Sequence, residues 1–173
     1  MKLENLRQVE DLAKFRSSRF LTTSLYLDWD KSRLSKKEIT LTLKNLLAGG
    51  RETASGLELS KEQRESLADD LDLMAARVTA RLAVSNHPGL ALFSCRGEDF
   101  WREFELGAPP RNRLVFDRNP YVKPLSVVLD EFLHIGVLLL DRREARWYGV
   151  RSGEIKALES LTSDVPSKVK PGG

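Results

Sequence analysis

Apolar positions recur at helical spacing from the start of the chain, where Leu3, Leu6, Val9 and Leu12 predict a short amphipathic helix. Thr22 to Trp29 alternate in part and are rich in β-formers, which predicts the first strand. Ser35 with Glu38 after it has the form of a capping box, and Ile39, Leu43, Leu46 and Leu47 fall on one face of the helix it opens. Gly49-Gly50 is expected to stop that helix, with a polar loop up to Gly56. Ser60 with Gln63 repeats the capping pattern. Leu67, Leu71, Met74, Val78 and Leu82 then mark a long helix to about Ser85, with these positions in the core.

Asn86-His87-Pro88-Gly89 is a turn cluster. Leu90 to Cys95 reads as a buried strand, Arg96-Gly97-Glu98 as a turn, and Phe100 to Leu106 as an alternating strand that completes a hairpin. Ala108-Pro109-Pro110 breaks the pattern before a short strand over Arg113 to Asp117. Val122, Leu125, Leu129 and Phe132 have helical spacing after the prolines at 120 and 124. From His134 the pattern becomes a meander: strands over Ile135–Leu140, Ala145–Val150 and Ile155–Leu161, with turns at Asp141–Glu144 and Ser152-Gly153. The expected organisation is α+β. A mixed sheet with flanking helices occupies residues 1–132, and a second domain opens with the three strands of residues 133–173.

Composition narrows the class without naming a function. Hydrophobic residues make up 41% and charged residues 31% of 173, as in ordinary globular domains. The net charge of +3 is compatible with an RNA partner and does not require one. The single cysteine, Cys95, excludes an internal disulfide and suits a reducing, cytoplasmic setting; a structural role is expected for it. One Cys and two separated histidines, His87 and His134, offer no metal-ligand spacing, so neither metal nor cofactor is expected. No apolar run approaches the ~20 residues of a membrane span, so no membrane partner is expected.

The order of these elements, and the end of the chain, resemble a known family. A strand opening Ser24-Leu25-Tyr26-Leu27 is followed by two long helices, and Gly89 to Phe93 begins a second strand. Gly136, Asp141, Ala145, Gly149 and Gly153 punctuate the meander. Thr162-Ser163-Asp164-Val165-Pro166-Ser167-Lys168 follows, then Gly172-Gly173. The pattern resembles class-1 peptide release factors of the archaeal–eukaryotic type and their bacterial homologues, over nearly the whole chain. The resemblance implies that residues 133–173 open a ribonuclease H-like central domain. It also implies a cytoplasmic protein whose partners are the ribosome and peptidyl-tRNA.

In that family a basic loop leads to Gly-Gly-Gln, whose glutamine is needed to hydrolyse peptidyl-tRNA. Gly172 and Gly173 are the first two residues of that tripeptide, so this 173-residue species is expected to be inactive as a hydrolase. Glycine lets backbone approach RNA closely, and backbone N–H groups can stabilise an oxyanion while water attacks. Lys168 and Lys170 would offset phosphate repulsion, and Arg142 and Arg143 are further candidates for RNA contact. Family members that decode stop codons carry Asn-Ile-Lys-Ser between the two long helices and a cysteine motif in a later loop. Gly49 to Leu59 (GGRETASGLEL) and Phe116 to Tyr121 have neither, which argues against stop-codon reading. A non-catalytic ribosome- or RNA-binding module and a protein-interaction domain stand as alternatives.

Trp147 and Tyr148 stand among Arg142, Arg143, Arg146 and Arg151, and adjacent strand positions face opposite ways. Trp29 and Trp101 are expected to pack, and Arg16 and Arg19 to be solvated. Ile135, Val137 and Leu139 form one face of the first meander strand, with Gly136, Leu138 and Leu140 on the other. Three strands without covering helices leave apolar faces and open edges, so the meander is expected to pack on the first domain or to form a homo-oligomer.

Overall fold

The computed structural model describes residues 3–83, 87–125, 135–141, 144–151 and 154–162. Contacts divide the chain into two compact units, Met1–Val128 and Leu129–Gly173. The elements of the first unit are α1 (Leu3–Lys14), β1 (Thr22–Asp28), α2 (Lys36–Ser55), α3 (Lys61–Arg81), β2 (Gly89–Cys95), β3 (Phe100–Leu106) and β4 (Arg113–Asp117). The second unit contains β5 (Ile135–Leu140), β6 (Glu144–Arg151) and β7 (Glu154–Thr162).

Local chemistry sets the helix starts. Ser35 Oγ accepts from Glu38 N at 3.2 Å, and Ser35 N donates to Glu38 Oε2 at 2.8 Å. Ser60 and Gln63 exchange the same pair of bonds at 3.2 and 2.9 Å. Each pair satisfies two backbone donors that a helix end leaves free.

The second helix departs from expectation. Gly49-Gly50 does not stop it; α2 runs on to Ser55, and most of the expected loop is helical. Of the two, Gly50 serves close packing. A Cβ on Gly50 would lie 2.3 Å from Leu114 Cδ2 of β4, whereas at Gly49 nothing stands within 4 Å. The expected turn at 86–89 is also shorter, because Gly89 already pairs with Asp28 and Leu106; Asn86 lies outside the described residues. The described part of α3 ends at Arg81, with Leu82 as its cap.

The sheet of the first unit has the order β3-β2-β1-β4, and every described pair in it is antiparallel, not mixed. The cause is the crossover between β1 and β2. One helix would return the chain to start a parallel strand. Two antiparallel helices return it to the end it left: Asp28 pairs with Gly89, and Trp29 N donates to Pro88 O at 2.9 Å. The α+β class holds.

Alternation along the strands makes two cores. Leu25, Leu27, Leu90 and Leu92 pack with Ile39, Leu43 and Leu47 of α2 and Leu71, Met74 and Val78 of α3. Trp29 is buried with them, as expected. On the opposite face Tyr26 meets Phe93 edge-on at 5.7 Å, Phe93 meets Phe104, and Phe15 stacks on Phe100 at 3.7 Å. Tyr26 Oη donates to Tyr121 O at 2.5 Å, and Tyr121 N donates to Ser24 Oγ at 3.0 Å, which fastens the chain beyond β4 to this face. Residues 123–125 begin the expected helix, whose remainder lies outside the described residues.

The β1–α2 loop is held by Asp30, which accepts from Ser32 Oγ at 2.6 Å, Arg33 Nε at 2.7 Å and Ser32 N at 3.0 Å. These bonds, that from the Ser32 hydroxyl first, hold its carboxyl at a pKa of about 2. The folded value lies below the unfolded one. The contribution is therefore present above the ordinary carboxylate range and lost as pH falls towards about 2. A carbon-detected NMR titration is expected to place Asp30 near that value, and Ser32→Ala to move it upward.

In the second unit the sheet order is β5-β6-β7, antiparallel throughout, with a bulge between Trp147 and Tyr148. The meander read from the sequence is present with strand limits within one residue.

Candidate functional site

The six residues singled out from the sequence, Gly172, Gly173, Lys168, Lys170, Arg142 and Arg143, lie outside the described residues. What can be placed is their surroundings. On either side of Arg142 and Arg143, Asp141 N donates to Glu144 O at 2.9 Å, and Glu144 N donates to Asp141 Oδ1 at 2.9 Å. These bonds close the β5–β6 hairpin.

Next to that turn, Arg146 forks onto Glu144: Nε to Oε1 at 2.6 Å and Nη2 to Oε2 at 2.7 Å. The guanidinium holds the Glu144 carboxyl below its usual range, and the carboxylate raises Arg146 further still. Fork-on-fork pairing of this kind fixes geometry and neutralises charge. Arg146 therefore adds little free positive potential. Register separates the aromatic pair: Tyr148 lies opposite Val137 and Trp147 opposite Leu138, on the two faces of the sheet. Trp147 is half exposed. The bulge leaves a cavity of about 210 Å³ beside Arg146, Trp147, Tyr148, Leu158 and Glu159.

The most elaborate polar arrangement lies in the first unit and escaped the sequence reading. Asp70 of α3 is fully buried. Its Oδ2 accepts from Thr23 Oγ1 at 2.8 Å, and its Oδ1 from Ser94 Oγ at 2.6 Å and from Arg96 N at 2.9 Å. One turn earlier, Ser66 Oγ accepts from Gly97 N at 2.9 Å. Two α3 side chains thus hold β1, β2 and the turn after β2. Burial raises the Asp70 carboxyl pKa, against the lowering by its three donors. The signal was available: Asp70 falls between Leu67 and Leu71 on the buried face of α3. Above it opens a cleft of about 330 Å³, where Arg19 pairs with Glu62 and where Glu65, Asp69 and Arg96 also stand.

Arg16 donates to Asn119 Oδ1 at 3.1 Å, and both early arginines stand exposed to solvent, as expected. Trp101 carries the Arg77 guanidinium 5.8 Å above its ring. Cys95 is buried, and burial pushes its thiol pKa up, which disfavours the thiolate a nucleophile needs. Among the described residues no group of three His, Cys, Asp or Glu is placed to hold a metal, and no helix is long and apolar enough to cross a membrane.

Residues 120–173 match the model of a family described as bacterial archaeo-eukaryotic release factor family 10. The chain is 41% identical over 73 residues to peptide chain release factor subunit 1 of Methanopyrus kandleri. The likeness to release factors by family lies in residues 120–173. The match to the Methanopyrus protein covers 40% of this chain and 18% of that one. The chain is also 42% identical over 57 residues to the same subunit of Methanocaldococcus jannaschii, covering 33% of this chain and 14% of that one. The matched stretches thus cover less than a fifth of these curated relatives. A crystal structure of the archaeal translation termination factor aRF1 superposes with a TM-score of 0.53 at 20% identity, covering 94% of this chain and 45% of that chain. A structure described only as an archaeal protein gives 0.55 at 19%, with the same coverage. At these identities the superpositions establish the fold.

Proposed function

We propose that this chain is part of a ribosome-associated translation factor of the release-factor and Pelota-like group. It acts in peptide release or ribosome rescue, by hydrolysis of peptidyl-tRNA when a longer chain carries glutamine after Gly173. The observation that supports this most is the family match over residues 120–173, the stretch that contains Thr162 to Lys168 and the Gly172-Gly173 pair. In this reading residues 1–132 are the N-terminal domain, and residues 133–173 open the domain that carries the catalytic loop. Lys168, Lys170, Arg142 and Arg143 face RNA phosphate. Stop-codon reading is not included. Gly49 to Leu59 lacks the decoding tetrapeptide, and its first residues complete α2 instead of forming a loop.

The test uses ribosomes carrying peptidyl-tRNA. The 173-residue chain is expected to sediment with them, to release from them steeply as salt rises, and to liberate no peptide. A chain extended by whatever its gene encodes after the Gly173 codon is expected to liberate peptide if glutamine comes next. Binding without release by the extended chain would leave a non-catalytic ribosome-binding module. Failure to sediment at low salt would overturn the ribosomal reading in favour of a protein-interaction domain.

A further inference from the structure

We draw no further inference here: the strongest candidate, the apolar groove of about 380 Å³ between α2 and β4 lined by Leu46, Gly49, Gly50, Leu57, Leu114 and Phe116, carries none, because nothing in the structure shows what covers it.

Discussion

Replacing Asp70 by alanine is expected to lower the stability of the first unit by about 3 kcal/mol, because it strands buried donors that cost about 1–3 kcal/mol each when unpaired. The donors are the Thr23 and Ser94 hydroxyls and the Arg96 N–H, which come from β1, β2 and the turn after β2. The two hydroxyls can rotate towards other acceptors and the backbone N–H cannot, so the loss falls short of the full sum. Urea denaturation should show a lower midpoint with unchanged slope. The same residue carries a pH signature. Burial, the largest influence, raises its folded pKa above the unfolded value. Stability linked to it is thus highest below the unfolded value and declines as pH rises through the folded one. Asp70→Asn should remove that decline, whatever it does to stability at a single pH. A variant whose pH dependence matched the parent's would show that Asp70 does not titrate in this way.

The second large effect is a pair of opposite sign at adjacent glycines. Gly50→Leu is expected to destabilise by about 1 kcal/mol, at the low end for overpacking, because the Leu114 side chain can give way towards the adjoining cavity of about 380 Å³. Its side chain must displace Leu114, which a Cβ alone would already crowd at 2.3 Å. Gly49→Ala, with nothing within 4 Å of the added carbon, should stabilise α2 by roughly 0.5–1 kcal/mol through helix propensity. Combining Gly50→Leu with Leu114→Ala should recover part of the loss, and a double-mutant cycle measures that coupling. Two equal effects at 49 and 50 would contradict the packing account.

These glycines also show where sequence reading fails. Gly-Gly after an apolar stripe is a strong stop signal when only the helix is considered. What overrides it is packing from β4, more than fifty positions downstream, whose Leu114 side chain lies where a Cβ at 50 would stand. The capping serines at 35 and 60 were legible because each cap is complete within four residues. The meander was legible for the same reason: its hairpins are local, and its bulge displaces only one residue. Asp70 was passed over because of its type, although its place between Leu67 and Leu71 pointed inward. An acid within a helix is read as solvent-facing, and only the positions of Thr23 and Ser94, set by strand register, make its burial tolerable. Within the candidate site, glycines 172 and 173 and the basic residues around them stand out only through the family pattern; no local rule marks them.

The place of β1 bears on how the protein is made. It is a central strand, yet neither neighbour is joined to it by a hairpin: β2 returns only after two helices, and β4 pairs Thr22 with Asp117. While the chain is being synthesised, Leu25, Tyr26 and Leu27, all fully enclosed in the finished fold, have no strand partner until the whole helical pair has been extruded. The outer side of the strand stays unpaired for longer still. The first unit is thus completed late, and the nascent chain carries this central strand without its strand partners through most of that time.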